Sequence, residues 1–284
     1  MMPLRRFTIH QPKGVSEASD MLVHYGEQAR LYAGGTELLL AMKHDLLRYE
    51  HLIDVKTVPG LNRIELENSS IVVGSGVTHR AIEESALVKD RLPVLARMAT
   101  HVANVRVRAT GTLGGNLCFA EPHSDPATLL LALDARVCIH GKNGQKKLSL
   151  DELITGAYET SLASDELLTA VEIPPLLSTQ RAAYVKFQTL ERPTLGMALI
   201  LDLDGENIKR ARAVVGSVGA TPSRSDKTDS LLAGARSQVE KQLSDAASAL
   251  ADAADPVGDL QGSAEYKRHL VGVFLKRAYI QALA

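Results

Sequence analysis

Apolar residues along this chain recur at two different spacings, and the alternation between them marks its elements. From Val15 to Tyr25 the spacing is helical, with Ala18, Met21, Leu22 and Tyr25 on one face and Ser16 as the expected N-cap. Ala29–Ala33 is a short apolar run that predicts a buried strand, ended by Gly34-Gly35. Thr36–Lys43 returns to helical spacing, with Leu38, Leu39 and Met42 inward, and His51–Val55 predicts another short strand. Strands and helices in alternation predict a small α/β module over 1–58.

The next stretch predicts strands at Ile64–Leu66 and Ile71–Ser75, then helices at Arg80–Ser85 and Pro93–His101. After a glycine-rich segment at Gly111–Asn116, Pro126–Leu133 predicts a helix and Arg136–His140 a strand, followed by a turn at Asn143-Gly144. Leu167–Ile173 is a strand closed by Pro174-Pro175, which makes 59–175 a second α/β module. Beyond the prolines, Ala183–Leu190, Leu195–Asp202 and Ala211–Val218 read as an antiparallel sheet with a hairpin turn at Asp204-Gly205. Ser230–Ala253 and Tyr266–Leu283 predict helices that complete a third module, 176–284. The fold class is α+β.

A formal net charge of -1 over 284 residues gives no electrostatic reason to expect nucleic acid or an anionic membrane surface. Arg5-Arg6 is followed by His10, Gln11, Pro12 and Lys13 rather than an apolar segment, so no signal peptide is expected. The apolar runs Ala127–Leu133 and Leu195–Leu201 are too short to cross a bilayer. The only cysteines, Cys118 and Cys138, fit a reducing cytoplasmic compartment. They are too few to hold an iron–sulfur cluster, which needs four ligands that are mostly cysteine.

Nucleophile elbows, zinc-protease motifs and phosphate-loop motifs are missing from the sequence. Gly74-Ser75-Gly76 comes nearest to a dinucleotide fingerprint, but His79 takes the third glycine position. Two glycine-rich segments remain: Tyr32-Ala33-Gly34-Gly35-Thr36-Glu37 and Thr110-Gly111-Thr112-Leu113-Gly114-Gly115-Asn116. Consecutive glycines let backbone N–H groups turn to one side and approach phosphate oxygens, with Thr36, Thr112 and Asn116 adding side-chain hydrogen bonds. Such segments are also found as plain tight turns, and residue types alone leave both readings open.

The run Ala33-Gly34-Gly35-Thr36 with Leu38-Leu39 resembles the first FAD segment of the flavin subunits of molybdenum hydroxylases, the family of carbon monoxide dehydrogenase medium subunits and xanthine dehydrogenase flavin subunits. Gly111 to Leu117 resembles that family's second signature. The likeness continues through Pro122, Ser124-Asp125, Leu129–Leu133, Glu166–Leu168, Ile173-Pro174, Tyr184–Lys186 and Gly262–Arg268. It implies the two-part FAD-binding domain of the PCMH/VAO type, followed by an antiparallel sheet with helices.

By the same resemblance, Leu31, Tyr32, Ala33, Gly34, Gly35, Thr36, Glu37 and Leu38 form the first diphosphate loop. Gly111, Thr112, Leu113, Gly114, Gly115 and Asn116 form the second. Asp125 accepts hydrogen bonds from cofactor hydroxyls, Val102 and Leu168 pack near its rings, and Lys186 lies near the isoalloxazine. Glu121 and His123 depart from the small residues common in relatives, and His123 is expected on the loop surface.

The implied cofactor is non-covalent FAD, since the first loop lacks the histidine that attaches flavin in more distant relatives. The implied role is electron transfer, from [2Fe–2S] clusters through FAD to a small-molecule acceptor. The implied partners are a small iron–sulfur subunit and a large molybdopterin subunit, in a dimer of heterotrimers. Two rivals stand beside it: a self-sufficient FAD-dependent reductase of the same fold, and a non-catalytic phosphate-ligand module.

Overall fold

The computed structural model describes residues 4–189 and 192–284. The N-terminal segment builds a three-stranded parallel sheet, with β1 (Thr8–His10) and β2 (Ala29–Tyr32) on either side of β3 (His51–Asp54). Helix α1 (Val15–Tyr25) turns Ala18 and Leu22 into the core beside half-buried Met21 and Tyr25, the face its spacing predicts. Its N-cap is Gly14, not Ser16, which lies inside the first turn. Glu17 accepts from the Lys13 N–H at 2.6 Å and closes the start of the helix in place of a hydroxyl cap. Helix α2 (Leu38–Lys43) is shorter than expected, and only Met42 on it is buried.

The second segment is organised by an antiparallel sheet in the order β4 (Ile64–Glu67), β5 (Ser70–Gly74), β10 (Leu167–Ile173), β6 (Arg136–Gly141), β7 (Gly144–Ser149). β10 slots between strands that precede it in sequence, and its near-continuous burial reflects cover on both faces. Helices α3 (His79–Glu84), α4 (Ala86–Arg91), α5 (Pro93–Thr100), α6 (Val105–Thr110), α7 (Leu113–Phe119) and α8 (Asp125–Ala132) fill the span between β5 and β6. α9 (Leu150–Leu153) and the hairpin β8 (Ile154–Gly156) with β9 (Glu159–Thr160) precede β10.

In the third segment, β11 (Gln180–Phe187), β12 (Leu195–Asp204), β13 (Asn207–Gly216) and β14 (Ser223–Arg224) form an antiparallel sheet, with the turn at Asp204-Gly205 as expected. Leu190, expected at the end of the first of these strands, lies outside the described residues. The single helix expected over 230–253 is two: α10 (Asp226–Leu231) and α11 (Arg236–Ala254). Gly234, at φ +121, breaks them, and the short strand β15 (Gly234–Ala235) pairs with β13 instead. The chain ends in α12 (Ala264–Leu283).

β12 shows how the second and third segments join. Leu195, Met197, Leu199 and Leu201 point into the core shared with α11 and α12. Ala198 and Ile200 point to the other face, into the core of the second segment. Helix α8 lies against that face and is therefore buried all round, with Leu129 and Leu130 fully enclosed. The fit depends on Gly216, where a Cβ would overlap the hydroxyl of fully buried Thr128.

Gly216→Ala should therefore cost about 1–3 kcal/mol of unfolding free energy, the usual range for overpacking. Adding Thr128→Ala should recover part of the loss. Denaturant titration checks both; a Gly216→Ala chain as stable as the parent would mean that α8 is not seated as described.

Candidate functional site

The two glycine segments meet. A Cβ on Gly34 would overlap the Thr110 carbonyl oxygen and lie 2.8 Å from the Gly111 Cα, so the backbones touch where only glycine allows it. Gly35 sits at φ +69, in the left-handed region, and a Cβ there would overlap the ring of Tyr32. Lys56 Nζ covers that ring at 3.7 Å and pairs with buried Asp54 at 2.8 Å. Thr36 Oγ1 faces Gly111, 3.5 Å from where its Cβ would stand.

The segments differ in what their amides do. Among the described residues, the N–H groups of Gly34, Gly35, Thr36, Glu37 and Leu38 donate to no backbone carbonyl, and these residues are half-buried. The second segment is the turn between α6 and α7, and its amides are committed. Leu113 N–H donates to Val77 O and Gly114 N–H to Ser75 O, each at 2.9 Å. Gly115 N–H donates to the Thr112 hydroxyl, which caps α7, and Asn116 N–H to Thr112 O.

What the second segment offers a ligand is close backbone approach. Gly115 is exposed, and among the described residues outside its own helix backbone its Cβ position meets Thr112 Oγ1 alone, at 2.9 Å. Asn116 Oδ1 accepts from Ser124 Oγ at 2.6 Å, which ties the segment to the N-terminus of α8. Buried His79 backs the junction: its N–H donates to Gly111 O at 3.1 Å, and burial with the nearby Arg108 charge lowers its imidazole to about 4.

Asp125 and Lys186, named separately from the sequence, are partners. Lys186 Nζ donates to Asp125 Oδ2 at 2.9 Å and to His101 O at 2.5 Å, while the Tyr184 hydroxyl donates to Asp125 Oδ1 at 2.5 Å. Burial pushes the Asp125 carboxyl up, against the Lys186 charge and both hydrogen bonds, and the net shift is upward. Burial and the Asp125 charge push the Tyr184 phenol up as well. Lys186 is thus no free cation: beside a flavin it would act as one end of a neutral ion pair.

Val102 and Leu168 are 7% and 4% exposed and belong to the core around Leu113 and Leu117, so their side chains offer little surface to a ring. His123, expected on the loop surface, is instead 15% exposed at its side chain and engaged at both ring nitrogens. Sequence reasoning missed Tyr184, Arg192 and the acceptors on Ser75 and Val77. Gly74-Ser75-Gly76 was a signal for these: a Cβ on Gly114 would overlap Ser75, so the turn serves close packing, not a nucleotide.

Two glycine segments in contact, one with unspent amides and the other with an exposed glycine, offer donors and close backbone approach to a dinucleotide diphosphate. The fold and these contacts make a candidate dinucleotide-binding site outside any Rossmann unit. Residues 5–176 match the family model described as "FAD binding domain in molybdopterin dehydrogenase", and residues 184–282 match "CO dehydrogenase flavoprotein C-terminal domain". The chain belongs to this family, the FAD-binding medium subunits of molybdenum hydroxylases.

It is 33% identical over 281 residues to the carbon monoxide dehydrogenase medium chain of Hydrogenophaga pseudoflava, covering 98% of each. It is 30% identical to the nicotine 6-hydroxylase medium subunit of Paenarthrobacter nicotinovorans, covering 99% of each. Among solved structures, the carbon monoxide dehydrogenase of H. pseudoflava aligns with a TM-score of 0.94 at 31% identity, covering 99% of each chain. These relatives do not favour the stand-alone reductase.

Lys186→Met should leave Asp125 buried with one hydrogen bond and no counter-charge, costing about 3–5 kcal/mol near neutral pH. A carboxyl whose folded pKa is raised contributes stability that is full below its unfolded value, about 3.9, and lost as pH rises through the folded one. The gap between parent and variant should therefore be smaller at about pH 4 than at about pH 7. Equal gaps in thermal melts at the two pH values would contradict the pairing.

Proposed function

We propose that this chain carries non-covalent FAD as the electron-transfer subunit of a cytoplasmic molybdenum hydroxylase. A small iron–sulfur subunit and a large molybdopterin subunit would hold the other redox groups, in a dimer of heterotrimers. Its own share is to bind and orient the flavin; the chemistry supplied by bound FAD is exchange between one-electron and two-electron carriers. The observation that carries the reading is the contact of Gly34 with Thr110–Gly111, which puts both glycine segments at one place.

In this reading the amides of Gly34 to Leu38 grip the diphosphate, and Thr112 to Asn116 lie against it through exposed Gly115. The Asp125–Lys186 pair stands near the ring system, with each carboxylate oxygen keeping a lone pair for a cofactor hydroxyl. The modules 1–58, 59–175 and 176–284 are the units that meet there. The two cysteines are free, which fits a reducing compartment. Among the described residues no helix is long and apolar enough to cross a membrane.

Gly115→Ala separates fold from binding. Alanine in the first turn of α7 stands 2.9 Å from the capping Thr112 hydroxyl, which must give slightly, and removing a helical glycine gains about 0.5–1 kcal/mol, so the two effects offset and the chain should stay near parental stability. The new methyl stands where the diphosphate would lie, so FAD content of the purified protein should fall. Gly34→Ala should lose both flavin and stability. Full flavin content in Gly115→Ala, read from absorbance, would remove the second segment from the site.

A further inference from the structure

Tyr184 and Lys186 are alternate residues on β11 and so share one face of the strand. Both reach the same carboxylate. The Tyr184 hydroxyl donates to Asp125 Oδ1 at 2.5 Å, and Lys186 Nζ donates to Asp125 Oδ2 at 2.9 Å. Lys186 Nζ also donates to His101 O, which anchors it. Each side chain holds one oxygen, so the carboxylate plane is fixed by two bonds rather than one.

Gly196 makes this grip possible. It lies opposite Lys186 on β12, and a Cβ there would stand 2.5 Å from the Tyr184 hydroxyl oxygen and 3.4 Å from the ring carbon that bears it. Any side chain at 196 would push the phenol off Asp125.

Helix α8 does not need Asp125 as its cap. Asp125 is the first residue of that helix, but Ser124 caps it, its hydroxyl accepting from the Ala127 N–H at 3.3 Å. Asp125 is 4% exposed, and a buried ion pair gains little over apolar residues of similar volume. Among the described residues each Asp125 oxygen accepts one side-chain hydrogen bond, and a carboxylate oxygen can accept two. What is left is an acceptor for a hydroxyl, held at a fixed orientation.

Ser124 places that acceptor beside the second glycine segment. Its hydroxyl donates to Asn116 Oδ1 at 2.6 Å, and Asn116 directly follows exposed Gly115. Asp125 is therefore one residue from a direct bond to the segment that a diphosphate would approach.

We infer that Tyr184, seated across Gly196, is a positioning residue for bound FAD: it fixes the Asp125 carboxylate so that a free lone pair meets a hydroxyl of the dinucleotide. The inference rests on the FAD assignment above. FAD carries hydroxyls on the ribityl chain and on the adenosine ribose. These lie on opposite sides of the diphosphate, so one carboxylate serves one half. Without the phenol, Lys186 alone holds Asp125, and the carboxylate turns and must be ordered again when the ligand binds.

The test is the affinity of the full chain, freed of flavin, for FAD, for FMN and for ADP. FMN carries the ribityl hydroxyls and ADP those of the ribose. Tyr184→Phe should weaken FAD about 3–10-fold, the scale of ordering one side chain on binding, and should weaken only one of the two halves. A loss confined to FMN assigns the ribityl chain; a loss confined to ADP assigns the ribose. Gly196→Ala displaces the phenol without removing it and should give the same pattern. The double variant should lose no more than either single one.

Parental FAD affinity in Tyr184→Phe or in Gly196→Ala overturns the proposal. So does a loss shared alike by FMN and ADP, which a general loosening of the fold would give, or a loss seen with neither. Additive losses in the double variant overturn it as well. A parent chain that binds neither FAD nor its halves overturns the FAD assignment, and this proposal with it.

Discussion

The contact between Gly34 and Thr110–Gly111 is the constraint around which the site is arranged. Two backbones approach within a distance that no side chain tolerates, so the parallel sheet of the first segment and the α6–α7 turn of the second are fixed to each other at a point. The left-handed turn at Gly35 follows at once, and the amides of Gly34 to Leu38 are left without backbone acceptors. Unpaired, half-buried N–H groups are costly unless something accepts from them, and a diphosphate does. The second segment reaches the opposite arrangement: Thr112 caps α7, Ser75 and Val77 take its neighbours' amides, and the chain presents one exposed glycine, Gly115. One wall has amides to give, and the other leaves room at a single exposed glycine.

Charge near the site is handled by pairing. Asp125 is almost fully buried, and an unpaired carboxylate there would cost several kcal/mol. Lys186 and Tyr184 offset this by direct hydrogen bonds, so the cation that family resemblance places near the flavin arrives already neutralised. The electrostatics felt by a flavin are then those of an oriented ion pair and committed dipoles, which fall off faster with distance than a bare charge. The same economy appears at Glu121 and Asp259, whose carboxylates are held by Arg192 and Lys267.

Much of this was legible in the sequence wherever the signal is local. The α1 face, β10 closed by Pro174-Pro175, and the Asp204-Gly205 hairpin follow from periodicity and turn chemistry within a dozen residues. The glycine segments were visible too, and their resemblance to a family made them the expected diphosphate loops. What was not legible depends on distant partners. Nothing near β10 says that it enters between β5 and β6. The Asp125–Lys186 pair spans 61 positions, and the burial of His123 depends on Asp259, 136 positions away. The amides of Leu113 and Gly114 looked free because their acceptors, Val77 and Ser75, lie in a turn more than thirty residues earlier. The helix α6, capped by Asn104, was missed because Val105-Arg106-Val107-Arg108 shows no helical periodicity in so short a run.

The central claim is that the first segment supplies open amides and the second a closed one. Amide hydrogen exchange resolved to single residues, on the full chain with and without added FAD, tests it directly. Gly35 to Leu38 should exchange fast without FAD and become strongly protected with it, while Leu113 to Asn116 should be protected in both. Fast exchange at Leu113 to Asn116 without FAD, or no gain of protection at Gly35 to Leu38 with it, would contradict the account.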